Sequence, residues 1–136
     1  MKKYLIFLHT LFITILISSI SMAKEKENTP KFNYFTLEPD ITTNFITEGH
    51  KLGFINIRVD LIVDDIMLIH MLEYHQPLIR DTIIKALGQE SEVRVKSLSG
   101  REAIRKNCLE KVNEILLAET KQKVLVDLLF TMYLYQ

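Results

Sequence analysis

From Phe54 to Val63 the chain alternates strictly. Ile55, Ile57, Val59, Leu61 and Val63 fall on one face, and Asn56, Arg58 and Asp60 fall on the other. A period of two with apolar set against polar marks a strand in a sheet with one buried and one wet face. Such half-solvated sheets are usually antiparallel. The apolar face must then be covered by other elements of the chain, which limits the architectures open to it.

Shorter apolar runs precede that strand. Phe32 to Leu37 and Ile41 to Ile46 read as two strands separated by Pro39-Asp40, with a turn at Glu48-Gly49-His50. Helical patterns follow it. Asp64 or Asp65 is suited to cap a helix over Ile66 to His75, because a short carboxylate accepts from free backbone N–H groups. Pro77 is expected to end that helix and to open a second one running to Leu87. Ile79, Ile83 and Leu87 then form one stripe, and Gly88 is a suitable stop. Glu92 to Leu98 is ambiguous: Val93 and Val95 alternate with charges, which allows a short edge strand.

Ser99-Gly100-Arg101-Glu102 matches a capping box, which predicts a helix to about Thr120. Its inner stripe is Ile104, Cys108, Val112 and Ile115, with Leu116 beside it, while Arg101, Arg105, Lys106, Glu110 and Glu114 lie mostly outside. The last strand is expected over Val124 to Tyr135. Val124, Val126, Leu128, Phe130, Met132 and Leu134 are placed on one face, and the strand away from the sheet edge. Strands, then helices, then a returning strand read as α+β, an antiparallel sheet with helices packed on one side.

The N-terminus bears on where this domain works. Lys2 and Lys3 precede 17 uncharged residues, Tyr4 to Ile20, and Ser21-Met22-Ala23 leads into the charged run Lys24 to Glu27. A basic head, an apolar middle and a small-x-small exit is the layout of a secretory signal peptide, with cleavage between Ala23 and Lys24. The other reading is a retained membrane anchor. Seventeen helical residues rise roughly 26 Å, near the lower limit for a hydrocarbon core of about 30 Å. Either reading exports the remainder: a tether over residues 24–31 and a domain over 32–136.

Without Lys2 and Lys3 the basic residues fall slightly short of the 17 acidic ones, and the charges are mixed along the chain. That balance gives no basis for nucleic-acid binding. Cys108 is the only cysteine, so no internal disulfide forms. It reads as a small buried hydrophobe, with an intermolecular disulfide as the alternative.

Nothing in the pattern points to catalysis, a cofactor or a metal. His70 and His75 are five apart and fall on different helix faces, whereas a zinc pair wants spacing of three or four. Asp64 and Asp65 are better explained as caps than as an acid–base pair. Neither a Gly-rich phosphate loop nor a serine elbow occurs. Met67, Met71 and Leu72 are expected in the core, the alternative being an adaptable binding surface.

Several segments resemble one known family. Tyr34-Phe35-Thr36-Leu37-Glu38-Pro39 followed by Asn44-Phe45 resembles the opening of the exported domain of the FliL family. Pro77-Leu78-Ile79-Arg80-Asp81-Thr82-Ile83-Ile84 resembles its proline-x-isoleucine-arginine-aspartate helix. Gly100 to Arg105 and Val112 to Leu116 resemble its glycine-started helix, and Phe130 to Gln136 its terminal strand, typically ending at glutamine. The resemblance covers about residues 34 to 136.

It implies a non-enzymatic accessory protein of the bacterial flagellar basal body that supports motor function and motility. The implied partners are stator and other basal-body proteins and further copies of the chain in a ring. The implied location is the periplasmic side of the inner membrane. It also implies a domain similar to the stomatin-type fold, with Pro77, Arg80, Asp81, Gly100 and Gln136 in structural roles. Arg80 and Asp81 are read either as a bonded arrangement at a helix end or as an adjacent solvated pair. A soluble periplasmic module that binds a ligand or another protein is the alternative function.

Overall fold

The computed structural model describes residues 31–49 and 51–136. The expectations for residues 1–30, including the Ala23–Lys24 step, lie outside the described residues. The element order is β1 (Asn33–Thr36), β2 (Ile41–Phe45), β3 (Gly53–Val63), α1 (Leu68–Gly88), α2 (Glu92–Lys96), α3 (Leu98–Thr120) and β4 (Asp127–Tyr135). The domain is α+β, with one antiparallel sheet and helices that cover its apolar face. Among the described residues no helix is long and apolar enough to cross a membrane.

The alternating strand is the centre of the sheet. β1 pairs with the last residues of β3 (Asn33 with Val63, Thr36 with Asp60) and β2 with the first (Ile41 with Ile57, Phe45 with Gly53). β1 and β2 therefore act as one interrupted strand along a single edge of β3, broken by the corner Leu37–Asp40, where the Glu38–Pro39 bond is cis. β4 pairs along the other edge. The residues Ile55, Ile57, Val59, Leu61 and Val63 are all buried, as the alternation requires. Gly53 sits under the Phe45 ring across the ladder, in space where a Cβ would collide with that ring.

α1 and α3 supply the cover. Ile79, Ile83 and Leu87 of α1 and Ile104, Cys108 and Val112 of α3 are fully buried, as their four-residue spacing requires; Leu116 continues the α3 stripe, while Ile115 is only partly buried. Each buried aliphatic side chain contributes roughly 1.5–3 kcal/mol relative to exposure. The return from α3 to β4 is held by Asn113, whose amide accepts from Leu125 N at 2.9 Å and donates to Leu125 O at 3.2 Å.

The structure departs from the sequence reading at several places. Pro77 does not divide two helices; α1 runs through it without interruption. The carbonyl that Pro77 leaves without an N–H is that of Glu73, and both residues are exposed, so water can satisfy it. Glu92–Lys96 is a short helix and not a strand, although Ile46 and Ser91 form an isolated bridge beside it. The cap of α3 is Ser97, not Ser99: its hydroxyl accepts from Gly100 N at 3.0 Å, and Glu102 pairs with Arg105 instead of reaching back.

β4 lies at a sheet edge, because the longer and more buried β3 holds the centre. Its apolar residues also do not share one face. The register shifts between Arg58 and Val59, leaving Thr131 as an extra residue, so Leu128 and Phe130 face the helices while Met132 and Leu134 turn to the open side. Tyr133 and Tyr135 take over the helix-facing positions, opposite Ile57 and Ile55.

Candidate functional site

The Pro77–Asp81 segment lies against the corner that divides β1 from β2. Gln76 Nε2 donates to the Glu38 carbonyl at 2.6 Å, and Arg80 Nη1 donates to the Pro39 carbonyl. These contacts satisfy two backbone acceptors that the broken ladder leaves without β partners. On the open sheet face, Arg58 forks onto Asp40, with Nε at 2.8 Å and Nη2 at 3.0 Å. That hydrogen-bonded charge raises the Arg58 pKa. Asp81 turns away from Arg80 and pairs with Lys85 at 2.7 Å, one helical turn on. The two adjacent residues thus serve separate contacts: Arg80 is the clasp on the corner, and Asp81 is part of an exposed ion pair.

Gly100 marks a second junction. A Cβ there would run into the Arg94 carbonyl oxygen, with Ser97 Oγ 2.6 Å away and the Arg94 carbonyl carbon 2.7 Å away. Glycine is required here by close approach of α2 to the first turn of α3, since among the described residues no glycine has positive φ. Beside it, the carboxylate of Glu90, 8% exposed, meets Arg94 Nε at 2.9 Å. Tyr133 closes the cluster. Its hydroxyl donates to Val95 O at 3.2 Å, and burial, the leading cause, pushes its phenol up to about 12.

The guanidinium of Arg101 sits 4.9 Å over the Tyr133 ring and donates through Nη2 to the Phe130 carbonyl at 3.1 Å. Four residues along α3, Arg105 bonds Asp127 through Nη1, which also donates to the Leu128 carbonyl at 2.7 Å; Nη2 pairs with Glu102 at 2.8 Å. The hydrogen bond to Arg105 holds the Glu102 carboxyl below its ordinary range. Sequence reading missed this pair by assigning Arg101 and Arg105 to the outer face. The available signal was their spacing of four, which places both on one side of the helix. Gln136 contributes through its backbone, exchanging two hydrogen bonds of 3.0 Å with Phe54.

The remaining candidates stay apart. His70 Nδ1 lies 3.1 Å from Glu73, and His75 Nδ1 lies 2.8 Å from the Met71 carbonyl. Asp65 Oδ1 accepts from Met67 N at 2.8 Å in the turn before α1, but α1 begins after Met67 with no side-chain cap, so neither Asp64 nor Asp65 is the helix cap that the sequence suggested. Among the described residues no group of three or more His, Cys, Asp or Glu side chains could hold a metal ion. Cys108 is buried, and desolvation pushes its thiol up to about 12, so it carries no thiolate near neutral pH. Leu72 is buried and Met71 packs against the core, whereas Met67 is 71% exposed; the trio divides between interior and surface.

These contacts build joints between elements and do not gather reactive groups around one space. Arg80 joins α1 to the β1–β2 corner, Gly100 lets α2 sit on α3, and Arg101 and Arg105 tie α3 to β4. Comparison with known proteins bears on what such a body serves. No curated protein matches the chain. One family model does match, described as flagellar basal body-associated protein FliL, over residues 34–136. That span takes in every element of the domain but the first residue of β1, and every joint described above. The chain belongs to the FliL family of flagellar basal body-associated proteins.

Proposed function

We propose that this protein is a non-enzymatic accessory of the flagellar motor, delivered to the periplasmic side of the inner membrane. There it associates with stator units and supports motility. The family match over residues 34–136 carries this reading. The joints support it as well: Arg80, Arg101 and Arg105 are bound to backbone carbonyls within the domain, which suits a rigid docking body. Self-association in a ring, and a likeness to the stomatin-type domain, belong to the same proposal. So does the N-terminal segment as signal peptide or single-pass anchor, with Ala23–Lys24 as the cleavage step.

The test is a chromosomal deletion, scored for swimming in soft agar and for swarming under high load. The full chain and a chain deleted for residues 32–136 are used for complementation. Loss of motility restored only by the full chain is expected, together with co-isolation of stator protein with the tagged full chain. Normal swimming and swarming in the deletion strain under both loads would refute the proposal. The mass of the N-terminal peptide of the native protein decides the leader: a start at Lys24 means cleavage, and a start at Met1 in membranes means an anchor.

A further inference from the structure

Exposed apolar residues gather at the end of the body where the described chain begins. Asn33 pairs with Val63, so Phe32 lies beside the end of β3, and Ile66 and Met67 follow directly from that end. Val126 N donates to the Ile62 carbonyl at 2.8 Å, which brings the approach to β4 to the same place. Ile66 is 61% exposed and Met67 71%, and Phe32 and Val126 are open as well. The turn that carries Ile66 and Met67 is fixed from within. Leu68 N donates to the Asp65 carbonyl and Ile69 N to the Ile66 carbonyl, each at 3.1 Å.

Charge does not select a partner for this end. Lys31, Lys121 and Lys123 are exposed there, and so are Asp64, Asp65 and Glu119. Exposure alone does not select one either, since Leu52 at the opposite end, beside Gly53, is 65% exposed. The connection of the chain does. The apolar stretch Tyr4 to Ile20 lies before Phe32, and residues 24–31 join the two. Fully extended, residues 24–31 reach at most about 28 Å. β3 has 11 residues and runs roughly 33 Å from Gly53 to Val63. A retained N-terminal anchor can therefore bring the Asn33 end to the bilayer with slack to spare, whereas the tether falls short of what the Gly53 end requires.

We propose that the end formed by Phe32, Ile66, Met67 and Val126 rests on the bilayer surface, with the N-terminal segment kept as the anchor. Ile66 and Met67 enter the boundary between headgroups and acyl chains, as apolar side chains at an interface do to a depth of about 5–10 Å. With the charges balanced, apolar contact and not lipid charge holds the end down. The inference rests on the anchor form of the proposed function and names the surface that meets the lipid. A ring with its axis normal to the bilayer turns the same end of every copy to the membrane, so the contact agrees with self-association in a ring.

The chain contains no tryptophan, so one introduced indole reports alone. The test uses the full chain with Met67→Trp, reconstituted in vesicles of phosphatidylethanolamine and phosphatidylglycerol with bromine on the acyl chains. Ile66→Trp is a second reporter at the same end, and Leu52→Trp is the control at the other. Bromine quenches an indole only on close approach, so Met67→Trp and Ile66→Trp are expected to lose roughly half their emission and to shift to the blue. Leu52→Trp is expected to keep both intensity and wavelength. The same result is expected in vesicles of phosphatidylcholine.

Absence of quenching at both Met67→Trp and Ile66→Trp, or equal quenching at Leu52→Trp, would overturn the contact. Quenching that requires phosphatidylglycerol would overturn it too, by assigning the contact to the lysines. So would Met67→Trp left unquenched in vesicles while Met67→Cys is shielded from a thiol reagent in cells, which assigns this end to a protein partner. A native protein that starts at Lys24 removes the tether and the inference with it, and leaves the motor reading standing. Quenching as expected, in a protein whose deletion strain swims and swarms normally, supports the lipid contact and removes the motor reading.

Discussion

Replacing Gly100 by alanine sets two effects of opposite sign against each other. In an open helix the change is favourable by about 1 kcal/mol, because alanine has the higher helix propensity. At Gly100 the new methyl meets the Arg94 carbonyl and the Ser97 hydroxyl, both of which are fixed. Ser97 Oγ is the cap that accepts from Gly100 N, and the Arg94 carbonyl belongs to the backbone of α2. Neither can yield as a flexible side-chain tip would, so α2 must move off α3 or the cap must break. Overpacking of this kind costs typically 1–3 kcal/mol and sometimes more, and loss of a serine cap costs about 1 kcal/mol.

The net expectation is a destabilisation of about 1–2 kcal/mol. For a domain near 100 residues that corresponds to a fall in Tm of roughly 5–10 °C. Chemical denaturation followed by circular dichroism measures it, with Gly49→Ala as the control, since a Cβ at Gly49 meets nothing within 4 Å. An unchanged or raised stability for Gly100→Ala would show that α2 does not press on α3, and the account of this junction would be wrong.

Four further outcomes are expected. Arg94→Ala leaves the Glu90 carboxylate buried without its partner; because Arg94 is half exposed, the loss is set at about 2 kcal/mol, below the 3–5 of a fully buried pair, and Glu90→Gln in the same chain recovers part of it in a denaturation series. Asn113→Ala removes two hydrogen bonds to the Leu125 backbone and costs about 2 kcal/mol by the same assay. Pro77→Ala restores an N–H to an exposed stretch of α1 and raises the Tm, whereas a fall would mean that the proline ring itself supports the Glu38–Asp40 corner.

The fourth concerns alkaline pH. The Cys108 thiol and the Tyr133 phenol are both pushed up to about 12 in the folded chain, so the unfolded chain releases these protons first. Their stabilising contribution is whole below about pH 8.5, the ordinary thiol range, and declines as pH rises towards 12. Equilibrium unfolding between pH 8 and 11 checks this decline, and a thiol reagent at pH 8 should label Cys108 only on unfolding.

Local pattern accounts for much of the fold. The alternation in β3 and the stripes Ile79–Ile83–Leu87 and Ile104–Cys108–Val112 are periodic, and a periodic apolar face has one favourable orientation whatever covers it. Their burial was therefore legible in the spacing alone, as was the α+β class that follows from their order.

What local pattern left open depended on distant residues. Pro77 stays inside one helix because its freed carbonyl faces water and Ile79 and Ile83 keep α1 on the core. Ser97 caps α3 in place of Ser99 because α2 must lie against Gly100. Met132 and Leu134 leave the core face because a one-residue bulge flips every side chain beyond it, and the bulge is a property of two paired strands. The joints made by Arg80, Arg101 and Arg105 reach carbonyls more than 20 positions away. The sequence by itself determined which faces must be buried, because that is set by spacing along the chain. Only the tertiary structure decided which strand became an edge and which backbone groups remained free there, because hydrogen-bond partners are assigned by neighbours in space.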